Sequence, residues 1–248
     1  TAISSVAVGV VTAAMICVLS VMNGFGVMIE ELFSQFDPDL RITAKAGKSF
    51  IINKETKSQL LSIPSINLVS ESITETALAY FEEKQMPVQL MGVDSVFGQL
   101  TGIENIITDG HYEVFDGAFD RAVLGQGLAW KLGIGVHFIH AIEVYAPKRE
   151  GKVNMLRPDV NFNSERCFIA GTFAVNQQKY DENLMLVDID LARRLLDYET
   201  TEVTALQVGV AEGYSIRRAK RDIATILGEG YLIQDRYEQQ EDFFRILH

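Results

Sequence analysis

The residues that could do metal chemistry are few and poorly arranged. His137 and His140 stand three positions apart, and two such imidazoles could bind one metal ion. The favoured interpretation is a pair of loop or strand histidines, with metal binding as the alternative. The second candidate is an acidic run, formed by Asp109, Glu113, Asp116 and Asp120. Its spacing is not that of an EF-hand loop, so a solvated surface is favoured over a cation site.

The motifs of nucleotide binding and nucleophilic catalysis are incomplete or missing from the sequence. Gly125-x-Gly127 begins like a dinucleotide-binding loop, but Trp130 stands where the third glycine belongs. We expect Trp130 to be a core residue of a short helix. The sequence contains no GxxxxGK[ST] phosphate loop, no GxSxG elbow and no HExxH motif. It therefore predicts a protein that is not an enzyme and that holds no cofactor or metal.

The charge and the cysteine content of the sequence narrow the possible class of protein further. The chain has 248 residues and a formal net charge of −11, and no Lys or Arg precedes Arg41. Such a domain lacks the clustered cations that a phosphate backbone requires, so nucleic acid is excluded as a partner. Cys17 and Cys167 fall in a predicted membrane span and a predicted strand, which excludes a disulfide framework and a cysteine metal site.

The apolar stretch at the start of the sequence determines the expected organisation. Residues 3–22 carry no charge, and the first charged residue is Glu30. About 20 apolar residues cross a hydrocarbon core of about 30 Å as a helix, so this stretch predicts a transmembrane helix. A signal peptide and a buried soluble helix are the alternatives. Apolar residues then recur at helical spacing up to Asp37-Pro38, which predicts a stalk that ends at the proline.

The remaining sequence alternates between two patterns. Residues 37–94 and 173–234 alternate strands with helices, whereas residues 95–172 predict a β-rich insert. Within the first pattern we expect helices over residues 54–62 and 188–196, begun by the N-cap residues Asn53 and Asp188. The expected strands include residues 68–69 and, separately, 72–81. The segment 97–120 is expected to be irregular, 146–166 a long polar loop, and 235–248 an amphipathic helix that approaches the membrane again.

Several stretches resemble the permeases of lipoprotein-releasing ABC transporters, of the LolC/LolE type, within the broader FtsX/MacB-like superfamily. They are VLSVMNGF at residues 18–25, VLG at 123–125 with LAxxLG at 128–133, FIAGTF at 168–173, and Phe243-Phe244. They occur in the same order as in the family, over essentially the whole chain. The MNGF stretch carries the likeness to the lipoprotein-releasing branch.

The resemblance implies an α+β fold and a position in the cell. Transmembrane helix 1 and its stalk (residues 1–36) would be followed by a MacB-like periplasmic domain. That domain would have an α/β porter-like subdomain (37–94 and 173–234) and a β-rich inserted subdomain (95–172), and 235–248 would lead to the next span. The protein would lie in the bacterial inner membrane with this domain in the periplasm.

The resemblance also implies partners. A separate cytoplasmic ABC ATPase would bind ATP and Mg, and a second permease subunit, either the same chain or a sister, would complete the complex. The lipoprotein cargo would pass to a soluble periplasmic chaperone. MacB-like efflux or mechanotransmission, and FtsX-like regulation of a cell-wall hydrolase, are the alternative functions.

Two groups of residues are expected to do this work. An acylated lipoprotein that leaves the bilayer needs an adaptable apolar surface, and the first group of residues would provide it. Packing of the same apolar residues against other membrane spans is the alternative interpretation. The residues of that surface are Met22, Phe25, Met28, Leu32 and Phe36. The loop 146–166 lies where the family has its chaperone-capturing arm, and its alternative is a variable surface loop. Its docking residues would be Met155, Leu156, Arg157 and Arg166.

Overall fold

A computed structural model describes residues 8–21, 37–136, 140–149 and 161–239 of the protein. The chain divides into two compact units, residues 1–34 and residues 35–248. In the first unit, residues 8–21 are helical and all of them are exposed. Within the described ranges, no helix combines the length and the apolar character needed to cross a membrane. The span and stalk expected over residues 1–36 therefore stay a prediction.

The second unit is built around a 10-stranded sheet, and a 2-stranded sheet is formed by β2 and β10. The strands are β1 (Leu40–Ala44), β2 (Phe50–Ile51), β3 (Ile66–Phe81), β4 (Lys84–Val93), β5 (Ile107–Gly110), β6 (Arg121–Gly125), β7 (Ile142–Pro147), β8 (Phe162–Phe173), β9 (Leu184–Asp188), β10 (Glu202–Val203), β11 (Ala205–Val210) and β12 (Tyr231–Asp235). The helices are α1 (Lys54–Leu61), α2 (Phe97–Thr101), α3 (Gln126–Leu132), α4 (Gln178–Asp181), α5 (Ile189–Leu196) and α6 (Ile216–Leu227), with a 3₁₀ turn at Ile103–Ile106.

Local chemistry fixes the helix ends where the sequence predicts them. The Asn53 side chain accepts a hydrogen bond from the backbone of Thr56 at 2.9 Å and begins α1. Asp188 does the same for α5, accepting from the backbone of Asp190 at 2.8 Å. Gly133 ends α3 in the left-handed region, at φ +74°. The two predicted N-caps, Asn53 and Asp188, are confirmed.

Three local expectations are wrong. Residues 66–81 form one continuous strand where two strands were expected. The strand continues because β11 pairs with it up to Ser72 and β4 pairs with it from Ser72 onwards. The segment 97–120 contains α2, the 3₁₀ turn and β5 where an irregular stretch was expected. The long polar loop is shorter at both ends than residues 146–166, since β7 runs to Pro147 and β8 begins at Phe162.

The main sheet has an open part and a closed part that share β3. The open part has the strand order β12, β1, β11 and then the first half of β3. In the closed part, β3 pairs with β4, and the pairing continues through β9, β6, β8 and β7 until β7 returns to β3 at residues 78–80. The strand network thus joins both sequence segments that were expected to form separate subdomains, and that division stays a prediction.

Each part of the sheet has its own apolar core. In the open part, residues of β1 and β11 such as Ile42 and Leu206 pack with Leu60 of α1 and Ile223 of α6. A second core lies inside the closed ring, and α3 and α5 contribute to it. A third covers the outer face of β4, β6 and β9 with α2 and the 3₁₀ turn. Strand alternation explains how β9 serves two cores, since Met185 belongs to the ring core and Leu186 to the outer one.

Residues near the beginning and the end of the described part of the second unit are in contact beside the open sheet. The Gln239 side chain donates to the carbonyl of Pro38 at 3.3 Å, and residues 236–239 are helical. The buried Asp37 accepts a hydrogen bond from the hydroxyl of Tyr180 at 2.5 Å. Burial and the neighbouring carboxylate of Asp37 raise the pKa of Tyr180. The beginning and the end of the described part of this unit therefore lie side by side.

The packing of α5 on β4 gives a stability prediction. A Cβ at Gly92 would lie 2.4 Å from the Cβ of Ala192, closer than van der Waals contact allows. Since overpacking costs about 1–3 kcal/mol, we expect Gly92→Ala to lower the free energy of unfolding by about that amount. Urea denaturation of the chain followed by circular dichroism measures the change.

Gly230→Ala is the matched control for this substitution. A Cβ at Gly230 would meet nothing within 4 Å, so its unfolding free energy should stay close to that of the unchanged chain. Equal losses in the two variants would contradict the close approach of α5 to β4.

Candidate functional site at the base of the arm

Residues 142–149 and 161–166 form the two sides of a β-hairpin, which we call the arm base. In it, β7 and β8 pair antiparallel from Ile142 opposite Cys167 to Pro147 opposite Phe162. One further backbone hydrogen bond, from Lys148 N to the carbonyl of Asn161 at 2.9 Å, extends the hairpin beyond the strands. The arm base is therefore a paired hairpin up to Lys148 and Asn161.

Most of the predicted contact residues lie outside the described residues. This holds for the whole of the first group, Met22, Phe25, Met28, Leu32 and Phe36. It also holds for Met155, Leu156 and Arg157 of the second group. Arg166 is described, and it lies within β8 on the outer face of the arm base.

Arg166 takes part in a polar cluster that crosses the two strands of the arm base. It stands opposite Glu143 and forms an ion pair with that carboxylate, and 74% of its own side chain is exposed. Glu143 also accepts a hydrogen bond from the hydroxyl of Tyr145 at 2.6 Å. The bond from Tyr145, and after it the Arg166 guanidinium, lower the pKa of Glu143, and the same bond raises the pKa of Tyr145. Arg166 therefore presents a positioned guanidinium to solvent.

An apolar groove lies directly beside this cluster. Its volume is about 300 Å³, and its lining residues are Leu78, Tyr80, Gln85, Tyr145 and Phe162. The side chain of Phe162 is 46% exposed and that of Tyr80 is 38% exposed, although both are large and apolar. An exposed aromatic concavity of this kind is typical of a protein interaction site.

The geometry of the closed ring explains why these aromatic residues face outwards. On the second half of β3 the small residues Ala77 and Ala79 point into the ring core, so Leu78 and Tyr80 alternate to the outside. A barrel of about eight strands is just wide enough for its own side chains, and this ring has fewer strands. Ala77 and Ala79 share this core with larger residues such as Leu90 and Leu124, and the large residues of the same stretch of β3 face outwards.

Arg149 connects the arm base to the open part of the sheet. Its guanidinium donates to both carboxylate oxygens of Glu202, at 2.7 and 2.6 Å, and to the hydroxyl of Ser49 at 3.2 Å. It also lies over the ring of Tyr198, 4.3 Å from the centroid. Together these contacts fix the direction of the outgoing strand relative to β2 and β10.

The contacts of Arg149 fill a gap along one edge of β3. That edge pairs with β11 up to Ser72 and with β7 from Leu78, which leaves the residues between them without a strand partner on this side. In the gap, Glu75 accepts a hydrogen bond from the Tyr198 hydroxyl at 3.2 Å. A cavity of about 210 Å³ remains there, lined by Lys48, Glu75, Thr76, Pro147, Lys148, Arg149, Leu196 and Tyr198.

The acidic run forms local structural contacts. Asp116 accepts backbone hydrogen bonds from Phe119 and Ala118, which with Arg121 lower its pKa to about 2. Asp120 pairs with Arg194 at 2.6 Å. Among the residues that the structure describes, no three His, Cys, Asp or Glu side chains come together as a metal site. His137 lies outside the described residues, so the histidine pair stays a prediction.

Trp130 is the clearest correction to the sequence analysis. It was expected in the core, but it is 86% exposed. The buried residues of α3 are Leu128, Ala129 and Leu132, and they use the whole face that meets the ring. Trp130 lies on another face of the helix and borders a cavity of about 410 Å³.

Two solved structures share this fold. One is the extracellular domain of the noncanonic ABC-type transporter YknZ from Gram-positive bacteria, with a TM-score of 0.55 and 13% identity, covering 79% of this chain and 99% of that chain. The other is the periplasmic region of MacB from Actinobacillus actinomycetemcomitans, with a TM-score of 0.58 and 9% identity, covering 83% and 92%. The fold is thus one found in the extracytoplasmic domains of ABC-type transporters.

The sequence itself assigns the family. The family model of the MacB-like periplasmic core domain matches residues 1–226, and the chain belongs to this family. It is the periplasmic domain of a MacB/FtsX-like ABC transporter permease, a membrane-anchored class that works with cytoplasmic ABC ATPases. No curated protein sequence matches the chain. The broader part of the expected family assignment is confirmed.

The ion pair of Arg149 predicts a pH-dependent stability. Hydrogen bonds from Arg149, and further bonds from Ser49 and the backbone of Glu199, lower the pKa of Glu202 from 4.5 to about 2. A carboxyl whose pKa is lower in the folded state stabilises the fold above its ordinary pKa and loses that effect as pH falls through the folded value. We expect Glu202→Gln to reduce the free energy of unfolding by about 1–2 kcal/mol near neutral pH.

The difference between the two chains should shrink as the pH falls below 4.5 towards 2. Urea denaturation at a series of pH values measures it. Glu229→Gln, at an exposed position of the open part, is the matched control and should change little. A difference for Glu202→Gln that is the same at all pH values would contradict the charged pairing.

Proposed function

We propose that this domain belongs to a permease subunit that releases lipoproteins from the outer leaflet of the inner membrane. The released lipoprotein would pass to a soluble periplasmic chaperone. ATP and Mg on a separate cytoplasmic ATPase would supply the energy. A second permease subunit, either the same chain or a sister, would complete the complex.

The observation that carries this proposal is the apolar groove beside the arm base. Tyr80, Tyr145 and Phe162 form an exposed aromatic surface next to the positioned guanidinium of Arg166. Aromatic residues and arginine are the side chains that most often dominate protein binding energy. In this proposal, Met155, Leu156 and Arg157 of the arm would contact the chaperone first, and the groove would hold it.

The connection of the domain to the membrane supports the same proposal. The hydrogen bond between Gln239 and Pro38 brings together the beginning and the end of the described part of the domain. This is the arrangement expected of a domain inserted between two membrane spans. The lipoprotein would then be contacted by Met22, Phe25, Met28, Leu32 and Phe36.

Arg149 would have a positioning role. Through Glu202, Ser49 and Tyr198 it ties the outgoing strand of the arm to the open part of the sheet. A movement of the open part, driven from the membrane side, would then be passed to the arm. The domain would thereby link ATP-driven motion to chaperone release.

Two other functions of the family are distinguished by their partners. A MacB-like efflux or mechanotransmission permease would contact a periplasmic adaptor. An FtsX-like regulator would contact a cell-wall hydrolase. Only the lipoprotein-releasing function requires a lipoprotein chaperone at the arm base.

Site-specific photo-crosslinking in living cells tests the proposal. A photoreactive residue replaces Met155 in the arm or Tyr80 in the groove, within the complete transporter. We expect both positions to capture a soluble periplasmic lipoprotein chaperone. Capture of an adaptor or a hydrolase at both positions would overturn the proposal and assign the corresponding alternative.

The matched control is Tyr214, which is also an exposed tyrosine but lies in the open part, just before α6. A photoreactive residue there should capture no chaperone. In a binding assay with the same chaperone, Tyr80→Ser should weaken affinity at least about fivefold, as removal of an aromatic contact does, and Tyr214→Ser should not. Chaperone capture from Met155 with unchanged affinity in Tyr80→Ser would keep the arm contact and reject the groove.

A further inference from the structure

The cavity beside Trp130, which we call the Trp130 pocket, belongs neither to the arm base nor to the groove. Its volume is about 410 Å³. One wall is α3, with Trp130 and Gln126, and the floor contains Thr172 of β8 and Asp109 of β5. Ile134, in the segment after α3, closes another side.

Two chemical groups in this pocket suit the same ligand. The Trp130 ring is 86% exposed, and its π face attracts cations more strongly than any other side-chain ring. Asp109 adds a carboxylate on an exposed strand position, where its Oδ1 accepts a hydrogen bond from the backbone of Gly110 at 3.0 Å. An aromatic face and a carboxylate in one cavity match the planar guanidinium of arginine.

The charge of the whole chain favours the same partner. The formal net charge is −11, which attracts a basic segment over a long range. The nearest basic side chain on α3, Lys131, is already paired with Glu182 at 2.6 Å. Because Lys131 is paired with Glu182, it does not neutralise the carboxylate of Asp109 in the pocket.

The exposure of Trp130 distinguishes a protein partner from a small molecule. Small-molecule sites enclose most of their ligand, and here a large aromatic ring stands almost entirely in solvent. Aromatic residues are enriched at the buried cores of protein interfaces, and a macromolecular surface is large enough to cover this ring. We propose that the Trp130 pocket docks a partner protein by receiving one of its arginine side chains.

Trp130 is the single tryptophan of the sequence, so fluorescence reports on this pocket directly. The whole chain in detergent is titrated with the tripeptide acetyl-Gly-Arg-Gly-amide while tryptophan emission is recorded. We expect a saturable shift of the emission to shorter wavelength. The same tripeptide with citrulline, which has nearly the same shape and no charge, should bind at least about fivefold more weakly.

Substitutions at matched aspartates locate the interaction. Asp109→Asn should weaken binding of the arginine tripeptide about two- to fivefold, as loss of one exposed ion pair does. Asp222→Asn, which removes the same charge from α6, should leave the affinity unchanged. Equal effects of the two variants would reduce the result to general electrostatic attraction and overturn the site.

Three further outcomes would overturn the proposal. One is the absence of any saturable change in emission with the arginine tripeptide. Another is equal binding of the citrulline tripeptide, which would remove the role of the positive charge. The third is tighter binding of agmatine than of the tripeptide, which would assign the pocket to a small organic cation. The chaperone assays at the arm base use other residues, so either proposal can fail alone.

Discussion

The structure depends on the double pairing of one long strand, β3. Along one edge, β4 pairs with it from Ser72 to Phe81. Along the other edge, β11 pairs with its first half and β7 with residues 78–80 of its second half. A single backbone thus belongs to an open sheet at one end and to a closed ring at the other. The strand β3 therefore connects the open part directly to the arm base.

A polar network at the junction fixes the helices relative to β3. Asp94, directly after β4, accepts hydrogen bonds from Ser70 at 2.6 Å and from the backbone of Glu71 at 3.0 Å. Glu71 pairs with Lys57 of α1 at 2.9 Å and with Arg193 of α5 at 3.1 Å. Because these groups are partly buried, a missing partner would leave a charge that is costly to desolvate. The network therefore favours one arrangement of α1 and α5.

The local elements were predictable because their signals are local. The caps Asn53 and Asp188 each involve residues within a few positions of each other. The closure of the ring was not predictable in this way. It depends on the pairing of Leu78 with Tyr145, residues far apart in sequence, and no periodic pattern specifies which strands become neighbours.

The two candidate surfaces were missed for a related reason. Sequence analysis places large apolar residues inside, and this rule fails on the second half of β3, where Ala77 and Ala79 face the ring core and Leu78 and Tyr80 face outwards. Tyr80 was therefore not recognised as a surface residue. Trp130 was assigned to the core by the same rule, although Leu128 and Leu132 suffice to pack α3. The signal available in the sequence was alanine alternating with larger residues along β3.

The position of the two surfaces on β8 bears on how the domain works. Phe162, in the groove, begins this strand, and Thr172, in the floor of the Trp130 pocket, lies near its end. Ten residues of extended strand span about 33 Å, so partners at the two surfaces need not compete for space. Since β8 pairs with β7 through its first half and with β6 through its second, both surfaces are attached to the same ring. Under the two proposals, a chaperone at the arm base and a second protein at Trp130 would therefore bind to the same ring without excluding each other.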